Sequence, residues 1–198
     1  MKKLIVSTAV ATLLLTVPGM VKAEENKEDW DKPVFIKGAD LEGQDLQQTE
    51  DDLGVKDDYE TYSVTTDDVN KYIPNSGNLS YIYSSATIKH KKWGNGVDVE
   101  IDTPDNITKV TSEQYQNASI TAGIKDAEIH IASVEKVTGE GALAGIYKAY
   151  EEKGNELNSE DIQNSNKEMQ DLTSISEENQ NKDCLLYTSP SPRDRQKS

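Results

Sequence analysis

The stretch from Ala118 to Gly154 constrains the fold most, because a strand pattern, a glycine-rich turn and a helix pattern follow one another within it. Apolar Ala127, Ile129 and Ile131 alternate with Glu128, His130 and Ala132, and this period of two predicts a half-buried strand. Beyond the turn, helical spacing predicts one apolar stripe formed by Leu143, Ile146, Tyr147 and Tyr150, ended by Gly154. A strand and a helix with one apolar face each cover one another, so we expect this unit to nucleate the domain.

The amino terminus has the pattern of a secretory signal peptide. Lys2 and Lys3 precede an apolar run, and small residues flank Lys22, which predicts cleavage after Ala23. A membrane anchor is the alternative, but the run is short for a span and contains Pro18. We therefore expect residues 1–23 to be a signal peptide, residues 24–32 a flexible leader, and the protein to be secreted or extracellular.

The carboxyl terminus has an unusual sequence. The run CLLYTSPSPRD from Cys184 to Asp194 matches the translation of a transposon-type sequencing adapter. We therefore expect residues 184–198 to be non-native, as a fusion scar would be, and the native chain to be truncated before them. The alternative is a natural disordered tail rich in serine, proline and arginine.

Charge and cysteine content narrow the possible functions. The chain has a net charge of −15; residues 1–23 carry three lysines and no acid, and residues 184–198 carry a net +2, which leaves −20 on residues 24–183. Such a surface repels nucleic-acid phosphates and anionic membranes, so we expect no nucleic-acid partner and no membrane span after signal cleavage. Cys184 is the single cysteine, so residues 24–183 contain no disulfide, thiol nucleophile or thiolate metal site.

Residues 33–154 have the length and the alternating patterns of one α/β domain. Asp40 is the predicted N-cap of a first helix ending at Gly54, Thr66 begins a second, and a capping box at Thr111 begins a third that ends at Gly123. Two strand patterns flank Asn95-Gly96 and predict a hairpin, in which Lys89 and Lys91 face Asp102 and Glu100 in one register or Glu100 and Asp98 in the other.

The predicted class is α+β, with a two-layer sheet of about five strands, helices packed on one face and a polar C-terminal helix. Residues 155–183 form the start of a truncated helical region, whose apolar positions are Leu157, Ile162, Met169, Leu172 and Ile175. So few apolar residues on a polar helix predict that its packing partner is missing.

The turn before the last apolar stripe contains a glycine pattern. Gly139-x-Gly141-x-x-Ala144 fits the spacing of a dinucleotide-binding loop. The context contradicts that interpretation, because no further parallel strand with a ribose-binding acid follows and an exported protein meets few nucleotides. We expect the glycines to serve packing, with weak anion binding left open, and we expect no cofactor.

Metal and catalytic sites are not indicated. His130 shares a polar strand face with Glu128, and a metal site with His90 would need their two strands to be neighbours. The acids at Asp51-Asp52, Asp57-Asp58 and Asp102 to Asn106 lack calcium-loop spacing. Ser84 and Ser85 lack a nucleophile elbow, so no catalytic residue is nominated. The candidate ligand-binding residues are Thr138, Gly139, Gly141, Glu128 and His130.

Four segments carry a family resemblance: ITAGIKDAEIHIA, GEGALAGIYKAYE, SSATI and GNGVDVEI. In these segments the chain resembles the exported bacterial family catalogued as domain of unknown function 1002, over roughly residues 33–175. The resemblance implies the amino-terminal α/β portion of a truncated member, with a helical carboxy-terminal region missing. The family has no established activity, so the resemblance supplies no catalytic residue.

Together these observations favour a secreted, noncatalytic binding module of a Gram-positive bacterium. We expect it to be extracellular or cell-wall-associated and to bind a wall polymer or another extracellular protein. The alternative is a cell-envelope hydrolase acting on glycan or peptide, with part of its site in the missing region. A concave pocket with converging carboxylates would favour the hydrolase, and a flat acidic surface would favour the binding module.

Overall fold

A computed structural model describes residues 32–77 and 79–179. The strands are β1 (Val34–Gly38), β2 (Glu60–Val64), β3 (Ser85–His90), β4 (Val97–Ile101) and β5 (Ala127–Ala132). The helices are α1 (Gly43–Asp52), α2 (Thr66–Tyr72), α3 (Ser112–Ala122), α4 (Glu140–Glu152) and α5 (Ser159–Asn179). The predicted α+β class, its five-stranded sheet and its polar C-terminal helix are confirmed.

The five strands form one mixed sheet in the order β2-β1-β3-β5-β4. The pairs β1–β2 and β4–β5 are parallel, whereas β3 runs antiparallel to both β1 and β5. The predicted hairpin between β3 and β4 is therefore wrong, because β5 lies between them. The physical reason is that α3 carries the chain from the end of β4 back to the start of β5, which makes these two strands a parallel pair.

The main core lies between one face of the sheet and the helix α4. Leu143, Ile146 and Tyr147 have no solvent-exposed surface, and Tyr150 is 9% exposed. They pack against Ile129 and the other inward residues of the central strands. The predicted strand-and-helix unit is thus confirmed, and Gly154 takes the positive φ of +85° that ends the helix.

Glycines let α4 approach the sheet closely. A Cβ on Gly145 would lie 2.2 Å from Ile36 Cγ2 and 2.8 Å from Val64 Cγ2. A Cβ on Gly141 would lie 2.6 Å from Ile82 Cγ2. No larger side chain fits between this face of the helix and the strands without moving one of them.

The helix α1 is the exception to the predicted one-sided arrangement of helices. Its Leu46 and the following Leu53 pack with Phe35, which points away from the main core, in a separate small cluster. The helix is also capped differently from the prediction: Glu42 is its N-cap, and the Asp40 carboxylate instead accepts a hydrogen bond of 2.7 Å from the Ile82 N–H. An aspartate before a helix pattern is equally suited to either role.

The predicted lack of a packing partner for α5 is wrong. Ile162 and Met169 are 5% and 7% exposed and belong to the main core. Buried Asn166 also donates a hydrogen bond of 2.6 Å to the Tyr72 carbonyl. A few well-spaced contacts thus join this mostly polar helix to α2, α3 and α4. The small number of apolar residues in its sequence had predicted no packing partner.

The predicted signal peptide, most of the leader and the predicted non-native tail lie outside the described residues. Within residues 32–77 and 79–179, no helix combines the length and the apolar character that a membrane crossing requires.

Candidate functional site

A cleft of about 440 Å³ opens beside the start of α4, and we call it the tyrosine cleft. Its walls are Asp45, residues 79–84, residues 135–139 and Gly141. Tyr81 is 64% exposed, and its ring centroid lies 6.1 Å from that of Tyr83. The cleft therefore combines an exposed aromatic surface with hydroxyl and backbone polar groups, as small-molecule sites do.

Hydrogen bonds hold the tyrosine-bearing wall in place. The Asp40 N–H donates to the Ile82 carbonyl, and the Asp40 carboxylate accepts from the Ile82 N–H. Ser85 Oγ accepts a hydrogen bond of 3.0 Å from the Gly38 N–H. Ser84 Oγ accepts one of 3.0 Å from the Ala142 N–H. The two serines thus connect this segment to β1 and α4, and this wall of the cleft is preformed.

The opposite wall contains Thr138, Gly139 and Gly141, which the sequence singled out. Gly139 has a φ of +101°, and a Cβ there would lie 2.6 Å from the Tyr115 hydroxyl oxygen. That hydroxyl donates a hydrogen bond of 2.7 Å to the Gly139 carbonyl, and complete burial raises the pKa of Tyr115 well above its usual value. The packing role predicted for these glycines is confirmed, because a Cβ at Gly139 or Gly141 would overlap the side chain of Tyr115 or Ile82.

The start of α4 is already supplied with a negative charge. Glu140 is buried in the first turn, and its carboxylate accepts a hydrogen bond from Thr138 Oγ1. An anion arriving at this helix terminus would meet that carboxylate, so the open possibility of anion binding here gains no support.

A second polar region lies on the sheet face opposite the main core, at the β4–β5 edge, and we call it the acidic face. It consists of Asp98, Glu100, Asp102, Glu128 and His130. In the parallel register, Asp98 lies beside Glu128, and Glu100 lies beside His130. Alternation along both strands places these side chains away from the main core.

His130 is held between two carboxylates. Its Nδ1 lies 3.1 Å from Asp102 Oδ1 and 3.2 Å from Oδ2, and its Nε2 lies 3.4 Å from Glu128 Oε1. Burial works against protonation, but the hydrogen bonds and charges of Asp102 and Glu128 outweigh it and raise the pKa of His130. One ligand atom each from Glu100, Asp102 and His130 lies within 4.8 Å of the other two.

Comparison with known proteins identifies the family. The family model described as "Protein of unknown function (DUF1002)" matches residues 37–185. The chain belongs to this DUF1002 family. It is also 38% identical over 158 residues to an uncharacterized protein, YpuA, of Bacillus subtilis (strain 168). That match covers 78% of this chain and 52% of the relative, so the chain spans about half of its relative's length. No solved structure matches the chain.

The five predicted ligand residues of this DUF1002 chain fall in two separate places. Thr138, Gly139 and Gly141 line the tyrosine cleft, whereas Glu128 and His130 lie on the acidic face. The two histidines do lie on neighbouring strands, but His90 is paired with Ala127 in the register and is exposed at the end of β3, so it is not brought to His130.

Sequence reasoning missed Glu100 and Asp102 as partners of His130. The strand β4 was paired with the wrong neighbour, and only the parallel β4–β5 register brings them together. It also missed Tyr81 and Tyr83 as cleft residues. Their spacing of two residues was a usable signal, because it places both tyrosines on one side of an extended segment. The strand β3 begins only at Ser85 and leaves them on an irregular segment.

Proposed function

We propose that this DUF1002 protein is a noncatalytic binding module that is exported, acts at or near the cell wall and holds its ligand in the tyrosine cleft. The observation that carries the proposal is the cleft itself, a preformed concavity of about 440 Å³ with a tyrosine pair on one wall, of which Tyr81 is exposed. This volume falls within the range of about 300–1,000 Å³ that is typical of ligand pockets.

The lining favours a ligand with both an apolar face and hydroxyl groups, such as a segment of a wall glycan. Tyr81 and Tyr83 offer flat apolar rings with hydroxyls at their tips. Ser80 and Thr138 add hydroxyl groups to the lining. A sugar ring packed on a tyrosine would bury apolar C–H groups while its hydroxyls stay hydrogen-bonded to the rim.

The polar groups of the tyrosine cleft favour binding over hydrolysis. Its two carboxylates, Asp45 and Glu135, are both exposed, whereas a catalytic carboxylate typically lies buried beside a specific charged partner. Ser84 is buried and its Oγ accepts the Ala142 N–H, so it serves as a structural contact. The envelope hydrolase remains the competing function. A hydrolase would release soluble fragments from the wall, whereas a binding module would only be retained on it.

The test is a pull-down of the full chain on purified cell wall, comparing the wild type with Tyr81→Ala and Trp93→Ala. Tyr81 is a wall of the cleft, whereas Trp93, 92% exposed and outside the cleft lining, is a matched aromatic control. We expect the wild type and Trp93→Ala to be retained, and Tyr81→Ala to lose about tenfold in affinity, roughly the loss of one aromatic contact of 1.4 kcal/mol.

Two outcomes would overturn the proposal. Equal retention of Tyr81→Ala and the wild type would remove the cleft from the binding site. Release of soluble fragments from the wall during incubation, measured by reducing ends and free amines, would favour the hydrolase.

A further inference from the structure

Glu100, Asp102 and His130 converge on the acidic face, outside the tyrosine cleft. We propose that they form a binding site for one divalent transition-metal ion of the zinc type. Glu100 and His130 are neighbours in the parallel β4–β5 register, and Asp102 follows two positions later on the same side. The backbone there is fixed, since the Asp102 N–H donates a hydrogen bond of 2.8 Å to the Ile131 carbonyl.

The separations are close to those that one ion requires. Zinc binds imidazole nitrogen and carboxylate oxygen at about 2.0–2.2 Å, so two of its ligand atoms lie at most about 4.4 Å apart. His130 Nδ1 and Asp102 Oδ1 are 3.1 Å apart, and the three ligand atoms lie within 4.8 Å of one another. The Glu100 side chain is exposed, so neighbouring protein atoms leave it room to turn toward the other two ligands.

Glu128 supplies the support that a metal-binding histidine needs. It lies 3.4 Å from Nε2, the ring nitrogen that faces away from Asp102. Metal-ligating histidines almost always donate their second N–H to a carboxylate, a backbone carbonyl or water, which fixes the tautomer and the orientation of the ring. With Nε2–H directed to Glu128, the lone pair of Nδ1 is left to the ion.

The donor set selects the class of ion. One imidazole and two carboxylates suit zinc, cobalt or nickel, whereas calcium and magnesium prefer oxygen ligands alone. The strand β4 is the edge of the sheet, so solvent reaches the cluster and water can fill the remaining coordination positions.

The experiment titrates ZnCl₂ into the untagged full chain by calorimetry, with CaCl₂ and MgCl₂ in parallel. A Cys184→Ser background removes the one thiol in the sequence. We expect one zinc ion per chain, no comparable calcium or magnesium binding, and a loss of about 100-fold in His130→Gln and Glu100→Gln. Glu128→Gln, which removes only the support, should lose about 10-fold. His90→Gln is the matched control, because it removes the other histidine and should bind normally.

A spectroscopic readout keeps the test independent of folding defects in the variants. The chain has two histidines, so paramagnetic Co²⁺ should broaden the imidazole signals of His130 and leave those of His90 sharp. Three results would each overturn the proposal: unchanged zinc affinity in His130→Gln, calcium binding as tight as zinc binding, or equal broadening of both histidines. Each would mean that the acidic charge of the surface attracts cations without a specific site.

Discussion

Asp68 joins two helices through a single carboxylate. Its Oδ2 accepts hydrogen bonds of 2.8 Å from the N–H and the hydroxyl of Thr65, the N-cap of α2. Lys148 of α4 lies 2.9 Å from the same oxygen. Burial disfavours the charged form, but the Thr65 backbone and Lys148 outweigh this effect, so the pKa of Asp68 lies below its ordinary value of 3.8.

A lowered pKa makes this carboxylate a source of stability that acid removes. The stabilisation is complete above the unfolded-state pKa, near 3.8, and is lost as the pH falls through the lower folded-state pKa. We expect Asp68→Asn to lower the free energy of unfolding at pH 7 by about 1 kcal/mol. The difference from the wild type should shrink in acid, as measured by urea unfolding across pH 7 to 2.

Asp67 provides the control for that experiment. It lies in the same helical turn and is exposed, and Asp67→Asn removes an equal charge while leaving the carboxylate that contacts Lys148. Its effect on the free energy of unfolding at pH 7 should be smaller than that of Asp68→Asn. A difference between Asp68→Asn and the wild type that stays constant down to pH 2 would contradict the ionic role of Asp68.

Single residues were predictable from sequence where their partners are close along the chain. The capping box of Thr111 with Gln114 and the terminal Gly123 are both confirmed, because caps depend on residues a few positions away. The Asp68–Lys148 pair spans 80 residues, and the Asp40–Ile82 bond spans 42. No local pattern carries such information, so these contacts required the fold.

At the scale of helices and strands, the position of a strand was easier to predict from sequence than the strands it pairs with in the sheet. Alternation placed β4 and β5 and the residues on each face, because side chains on any strand alternate with the same period. Alternation could not show that β5 lies between β3 and β4. The Asn-Gly pair between the two strand patterns is typical of a tight hairpin turn, and it therefore favoured pairing β3 directly with β4. The consequence reached the candidate sites: Glu100 and His130 become neighbours only in the observed strand order.

The distance between α4 and the sheet depends on Gly145. Alanine favours a helix over glycine by about 1 kcal/mol, but its Cβ would overlap Ile36 Cγ2 at 2.2 Å and Val64 Cγ2 at 2.8 Å. Both are branches of buried side chains, so neither can move aside freely. We expect Gly145→Ala to lower the free energy of unfolding by about 1 to 2 kcal/mol in urea titrations, after the helix-propensity gain.

Glu152→Ala is the control on the same helix, because Glu152 is exposed at its last turn. Its effect should stay within about 0.5 kcal/mol. An increase in stability for Gly145→Ala would show that α4 can move away from the sheet at small cost. That result would contradict a requirement for close packing at Gly145.

The whole chain carries far more negative than positive charge, with 36 acidic and 21 basic residues. This imbalance was fully readable from sequence, whereas the pairing of individual charges was not. Some of the described ion pairs lie at the surface, as in Lys71–Glu151, where 58% and 36% of the side chains are exposed. Such pairs contribute little stability each, so they do not offset the repulsion of the excess acids.

We therefore expect added salt to stabilise the folded chain at neutral pH. Raising NaCl from about 0.01 M to 0.15 M shortens the screening length from about 30 Å to 8 Å, which weakens long-range repulsion more than contact pairs. A gain of about 1 kcal/mol would raise the melting temperature by about 2–4 °C in calorimetry. Near the sequence pI of about 4.5 the net charge vanishes, so the same salt step should then have little effect. A melting temperature that falls with salt at pH 7 would mean that attractive pairs dominate, and that the acidic excess is not what limits stability.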